Sequence, residues 1–384
     1  MITRRIKQYS AVFFFLLAAV ALWWLVAAGP VTVYRTVAYN FSGIDDYRIF
    51  PQRRLTAAPQ PFRFRDGGRS ENTPVLVSFG NRHDVPLAEL LAATGTVAFL
   101  VVKNDAILFE QYLEGYDRAT PSLSFSMAKS FLSVLVGCAI ADGYLKSVDQ
   151  SVTDFVPELK EQGFSSVTLK HLLQMTSGID YAENDFPLGL HARFYYTNRL
   201  EQEILKLRLR EPPGSQFVYK SGDAFLLTLA LRRALGGKSI TGYMQQRLWN
   251  PLGMEAGGSW SIDHAPDGLE KTSCCLAATA RDFAKFGRLY LNKGLWDGRQ
   301  IVPQAWVTAS TQIDISAGGA WNYQHMWWLI AKDRPDFMAA GHLGQFLYIN
   351  PSVGVIIVRL GKSMGGLSRE EWEQVFMSLS DRIQ

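Results

Sequence analysis

Ser126-Met127-Ala128-Lys129 is the only S-x-x-K in the chain, and it opens an apolar stretch with helical spacing. A separation of three residues sets the hydroxyl and the amine on one helical face, about 5–6 Å apart at Cβ. At that reach an amine can take the hydroxyl proton and make the serine a nucleophile toward a carbonyl carbon. A lysine ordinarily titrates near about 10.4, so this chemistry requires burial that favours the neutral amine. Phe125, Met127, Phe131 and Leu132 are apolar neighbours that can supply it. The free N–H groups at a helix start add a place for an oxyanion. The same residues also read as a solvated lysine beside an N-capping serine, and the motif alone leaves both readings open.

Three further segments carry chemistry-bearing residues in regular patterns. Glu211-Pro212-Pro213-Gly214-Ser215-Gln216-Phe217-Val218-Tyr219-Lys220-Ser221 is a turn followed by Tyr-x-Ser, and Thr168 to Ile179 (TLKHLLQMTSGI) is a helix-to-turn segment. Late in the chain, Gly341-His342-Leu343-Gly344-Gln345 leads into a strand. With SFSMAKSF, WNPLGM and ATARDFAKFGRLYLNKG, the set resembles the penicillin-recognising serine hydrolases of the class C β-lactamase type. It is most similar to the branch that holds 6-aminohexanoate-dimer hydrolase and related carboxylesterases. The resemblance runs from about Pro86 to the C-terminus.

That resemblance implies roles. Ser126 would be acylated, Lys129 would be the base, and Tyr219 would share the proton and pass it to the leaving group. Backbone N–H groups of Ser126 and Gln345 would form the oxyanion hole, and Ser221, His342 and Gly344 would contact substrate. Two departures bear on the substrate. Where lactamases have Tyr-x-Asn and Lys-Thr-Gly, this chain has Tyr219-x-Ser221 and His342-Leu343-Gly344. The ammonium that pairs with a β-lactam carboxylate is missing, and a histidine is only partly charged near neutrality. The expected substrate is a small-molecule ester or small amide without that carboxylate. A D-amino-acid peptidase, a weak β-lactamase and a non-catalytic relative that binds cell-wall peptides are the rival expectations.

Other constellations compete. Tyr196-x-Asn198, Tyr290-x-Asn292 and Tyr348-x-Asn350 also fit Tyr-x-Asn; Tyr290 reads as helix core and Tyr348 as strand packing, while Tyr196, the serious rival, lacks the Pro-Gly turn that precedes Tyr219. Gly361-Lys362-Ser363-Met364-Gly365 fits G-x-S-x-G, yet a nucleophile elbow needs a later histidine and none follows Ser363. His171 and His191 stand apart from any paired His or Cys and read as structural; Asp223 reads as a helix cap. His325 sits among Trp321, Tyr323, Trp327 and Trp328, a cluster that reads as packed core or as the lining of a cleft.

The elements that must hold these residues follow from periodicity. Leu87 to Thr94 reads as a short helix, and TVAFLVVK and AILFEQYL around Asn104-Asp105 read as a hairpin. Ser126 to Asp142 reads as a buried helix that ends at Gly143. Residues 151–265 are helical patches without β-rich runs. A helix around Ala280 to Asn292, the strands MWWLIA, FLYINP and VGVIIVRL, and a last helix from Ser368 complete the chain. The expected fold class is α/β (α+β) of the β-lactamase/transpeptidase-like kind: one antiparallel sheet flanked by helices, with a mostly helical insertion over 151–265.

Ahead of this hydrolase domain, residues 84–384, stand three pieces: a cytoplasmic N-terminus over 1–10, a transmembrane helix over 11–28, and a linker or wrapping arm over 29–83. Ala11 to Ala28 is eighteen residues without a charge, enough for most of a hydrocarbon core. Arg4, Arg5 and Lys7 precede it, which predicts an N-terminus in the cytoplasm. The expected location is the inner membrane, single-pass, with the catalytic domain in the periplasm. A cleaved signal peptide is the competing reading, and both export the body.

With 39 Lys and Arg against 35 Asp and Glu, scattered along the chain, nucleic acid is excluded as the expected partner. Nothing calls for a cofactor or a metal. Cys274 and Cys275 could pair on an oxidising far side, but a bond between neighbours is strained and Cys138 sits in an apolar helical stretch, so all three cysteines read as small buried residues.

Overall fold

In the computed structural model the described residues are Tyr9, Phe15 and Ala19, then 24–68, 75–184, 186, 187 and 189–383. Successive side chains of a strand point to opposite faces, and the strand Thr96–Lys103 is apolar on both. Val97, Leu100 and Val102 enter a core shared with the helices Ala128–Ala141 and Ala280–Leu291, while Phe99 and Val101 enter another with Leu87–Ala93 and Arg369–Arg382. The strands Gln345–Asn350 and Val355–Gly361 divide the same way. Each fully buried aliphatic or aromatic side chain contributes roughly 1.5–3 kcal/mol, so a sheet covered on both sides is a rigid base for a site.

The eight strands run in the order Tyr323–Gln324, Trp327–Leu329, Phe337–Gly341, Gln345–Asn350, Val355–Gly361, Thr96–Lys103, Ala106–Tyr112, Arg65–Asp66. Neighbours are antiparallel except the last pair, which is parallel. The hairpin turns at Asn104 and Asp105, both with positive φ, as a tight two-residue connection demands.

The expectation of one sheet needs correction. Gln52–Leu55, Gly258–Ser261, Leu276–Ala278 and Ser122–Leu123 form a separate four-stranded sheet. Its strands span two to four residues, too short for alternation to be seen, and Gly258–Ser261 puts β structure inside the stretch read as helical. The arm is built into the body: Gln52–Leu55 pairs with Gly258–Ser261, and Arg65–Asp66 pairs with Ala106–Ile107. The apolar run 11–28 lies mostly outside the described residues, and among those described no helix is long and apolar enough to cross a membrane.

Candidate active site

The helix Ala128–Ala141 is preceded by a 3₁₀ turn, Phe125–Met127. Ser126 therefore sits one step outside the helix and Lys129 in its first turn. Phe125, just before the serine, is left-handed with φ 43°, a conformation the surroundings must enforce. Its buried ring meets the His342 ring edge-on, with centroids 5.3 Å apart. Twelve consecutive helix residues from Ala128 to Ala139 are buried, Lys129 among them at 1% exposure.

Lys129 Nζ lies 2.8 Å from Ser126 Oγ, 3.1 Å from Ser221 Oγ and 3.0 Å from the Ser273 carbonyl oxygen. Ser221 is the first residue of the helix Ser221–Ala234. Its N–H donates to Glu183 Oε2 and its hydroxyl to Glu183 Oε1, both at 2.7 Å. The carboxylate thus meets a helix N-terminus, where negative charge is favoured.

Proton counting gives the arrangement a direction. The Ser273 carbonyl can only accept. The Ser221 hydroxyl, its proton committed to Glu183, can also only accept from Lys129. A neutral amine has two N–H bonds and one lone pair. Were the amine neutral, as the chemistry requires, with both N–H bonds used on Ser273 and Ser221, its lone pair would face Ser126 Oγ, the disposition of a base beside its nucleophile.

Tyr219 is carried by the turn 212–218. The Gly214 N–H donates to the Thr176 carbonyl at 2.8 Å and the Val218 N–H to the Met175 carbonyl at 3.0 Å. Ser177 bonds the buried Asp223 of the following helix, and Asp223 is held up to about 7 by burial. The TLKHLLQMTSGI segment is therefore a clamp on the Tyr219 turn, and Asp223 is a buried acceptor in that clamp rather than a helix cap. The Tyr219 ring packs on Trp328 and Tyr323, with centroids at 5.5 and 5.7 Å. Lys129 Nζ stands 5.1 Å from the ring centroid, and among the described residues no hydrogen bond joins the Tyr219 hydroxyl to Ser126 or Lys129.

A cavity of about 840 Å³ opens over these groups, a size that suits a small organic ligand. Ser126, Tyr219, Ser221 and His342 line it together with Glu183, His191, Trp328 and Arg369. Of the aromatic cluster, Trp328 faces the cavity; Trp327 and Tyr323 are core, and His325 is buried, held down at about 4 by that burial.

Late in the chain, Ala340 to Leu343 and Phe346 line the cavity, and the expected positions Gly344 and Gln345 are not among the lining residues. A Cβ on Gly341 would strike the Ser124 carbonyl and stand 3.1 Å from the Ser126 nitrogen, so this backbone is what faces the nucleophile's N–H. Gly344, with φ 80°, has the Arg359 guanidinium packed against it, and the Gln345 side chain bonds the His342 and Gly361 carbonyls. The left-handed Leu343 and Gly344 reverse the chain between the strands Phe337–Gly341 and Gln345–Asn350.

Cys274 and Cys275 are bonded to each other, with Sγ–Sγ 2.14 Å, so the reading of two unpaired cysteines is also corrected. The turn that carries them explains the pairing. The Cys274 N–H donates to the Lys271 carbonyl at 3.1 Å and the Leu276 N–H to the Cys274 carbonyl at 2.7 Å, folding the chain tightly beside Ser273. Glu183 and Ser273 are the site residues that sequence reasoning missed. Glu183 lies in a loop without periodicity, and Ser273 contributes only a carbonyl, which every residue has. His171 is structural, its ring closing a capping box on Thr168. Ser363 donates to the Thr94 carbonyl, while only Met364 of its segment reaches the cavity. Among the described residues no group of three or more His, Cys, Asp and Glu stands together as a metal site would require.

Comparison with known proteins agrees with this geometry. The family described as Beta-lactamase matches residues 87–376. The chain is 26% identical over 300 residues to a 6-aminohexanoate-dimer hydrolase of Paenarthrobacter ureafaciens, covering 71% of this chain and 74% of that protein. A Bacillus anthracis structure thought to be a 6-aminohexanoate-dimer hydrolase superposes with TM-score 0.79 at 25% identity, over 89% of this chain and 93% of that one. A family VIII carboxylesterase shares the fold with TM-score 0.58 at 15% identity, over 75% and 92% of the two chains. The chain therefore belongs to the beta-lactamase family and is a serine hydrolase of that family.

Proposed function

We propose that the enzyme hydrolyses a small ester or linear amide through an acyl-enzyme on Ser126. The observation that carries this is the set of three contacts at Lys129, which fixes its buried amine 2.8 Å from the Ser126 hydroxyl. Ser126 Oγ bonds to the carbonyl carbon as its proton passes to Lys129. The resulting oxyanion is held by the Ser126 N–H and the backbone at Gly341–His342. Collapse breaks the bond to the leaving group, which takes up the proton through Lys129 and Tyr219. Water then attacks the acyl carbon and returns the serine.

His342 in place of a lysine, and the likeness to a 6-aminohexanoate-dimer hydrolase, support esters and linear amides over β-lactams. We also read the apolar run 11–28 as an anchor in the inner membrane, with the basic N-terminus in the cytoplasm and the catalytic body in the periplasm. The support is the charge asymmetry across that run.

The test is Ser126→Ala on the full chain, with a panel of p-nitrophenyl esters, linear amides and nitrocefin. The variant is expected to lose ester or amide turnover and labelling by a fluorophosphonate. Turnover that survives the substitution would remove Ser126 from the mechanism.

A further inference from the structure

A surface helix ordinarily turns its apolar side inward. The helix Pro30–Ala38 does the reverse. Its buried residues are Thr32 at 1% and Thr36 at 3%, whereas Tyr34 is 64% and Val37 72% exposed, with Val31 on the same outward side. Positions 31, 34, 37 and 41 follow helical spacing, and Phe41, just past the helix end, is 88% exposed.

The inward side is held by polar contacts. Arg35 donates to the Tyr196 carbonyl at 3.2 Å, and the Tyr196 hydroxyl bonds the Tyr39 carbonyl. Thr36, Asn40 and Phe41 are also part of the wall of the catalytic cavity, so the helix and its tail form the cavity's rim. Elsewhere along the cavity, Phe186 is exposed beside the lining residue Pro187.

Scattered apolar residues on a surface need no explanation, but a contiguous outward face does. Its occupant is indicated by what precedes it. The uncharged run 11–28 ends two residues before Pro30, and Leu25 and Val26 near its end are exposed as well. A helix that emerges directly from such a run, apolar outward and polar inward, has the form of an element lying in a lipid headgroup region.

We propose that the outward face of Pro30–Ala38, continued by Phe41, lies on a phospholipid bilayer and sets the rim of the catalytic cavity against it, so that lipophilic esters and amides reach Ser126 from the membrane. This rests on the reading of the chain as a membrane-attached serine hydrolase.

The test uses the full chain in phosphatidylethanolamine–phosphatidylglycerol vesicles. Val37→Cys carries an environment-sensitive fluorophore, the thiol of Cys138 being buried. The comparator is Asp333→Cys, on the loop joining the ends of strands Trp327–Leu329 and Phe337–Gly341 that are remote from Gly341. Quenching by doxyl-labelled lipid at position 37 and not at 333 is expected. No quenching at 37 overturns the proposal, and cross-linking between two chains through position 37 without quenching overturns it in favour of a second copy.

The triple variant Val31→Ser, Tyr34→Ser, Val37→Ser leaves the cavity wall untouched. Its turnover of a long-chain ester dissolved in the vesicles is expected to fall about tenfold relative to a soluble acetate ester. An unchanged ratio overturns delivery from the membrane. Failure of the hydrolase reading is distinguishable, because wild-type protein would then turn over neither ester while the quenching result stands by itself.

Discussion

Replacing Glu183 by Gln tests whether the carboxylate governs the base. Both Glu183 oxygens accept from Ser221 at 2.7 Å, one from the N–H and one from the hydroxyl. Glutamine keeps the shape but offers one acceptor and one donor. If its oxygen serves the N–H, its amide nitrogen meets the Ser221 oxygen, and the hydroxyl proton must turn toward Lys129. Ser221 then competes with Ser126 for the amine's lone pair. A hydrogen bond to a charged group is worth about 1.5–3 kcal/mol against about 1 kcal/mol for a neutral one. The lost difference, about 0.5–2 kcal/mol, corresponds to roughly 2–30-fold in rate. Glu183 acts through Ser221, so its role is positioning. The assay is the second-order rate of fluorophosphonate inactivation, which reports nucleophile activation, run beside thermal melting to check the fold. A double-mutant cycle with Ser221→Ala gives the second readout: once Ser221 lacks its hydroxyl, the Gln substitution should cost little more. Inactivation of Glu183→Gln at the wild-type rate, or strict additivity in the cycle, would refute the relay.

Two further expectations concern the frame of the site. Gly341→Ala should drive a methyl group into the Ser124 carbonyl and against the Ser126 nitrogen, abolishing measurable ester turnover while the circular dichroism spectrum stays folded. Activity near wild type would show that the oxyanion wall lies elsewhere. Asp223, held up at about 7 by burial, is more stable protonated in the folded chain than its ordinary value near about 4 allows. Its contribution is therefore fully present below about pH 4 and is lost as pH rises through about 7, by up to about 4 kcal/mol. Asp223→Asn, which is always neutral, should accordingly gain in melting temperature relative to wild type between pH 5 and pH 8. A constant difference across that range would remove Asp223 as the titrating group.

The contact of Lys129 with Ser126 and the place of Tyr219 on the cavity wall were legible because each residue stands in a short motif whose spacing is itself geometric: one helical turn from Ser126 to Lys129, and a Pro-Gly turn before Tyr219. The central strands and the covering helices were legible from periodicity, since long apolar elements packed on two faces leave a strong pattern. Less was visible wherever backbone rather than side chain does the work. The wall at Gly341 depends on close approach, which no residue type announces, and the left-handed turn at Leu343 and Gly344 moved the expected contact from the 341–342 backbone to Gln345. Glu183 reaches Ser221 across 38 residues from an aperiodic loop. The bond between Cys274 and Cys275 was set aside on local strain, although the turn around it holds the two side chains together.

The groups around Lys129 come from widely separated stretches: Ser126 early, Glu183 and Ser221 from the middle, Ser273 after them, and the Gly341 wall near the end. A ribosome delivers them in that order. Every shorter nascent chain lacks the wall that faces the reactive serine, so hydrolytic power arrives only once synthesis is nearly finished.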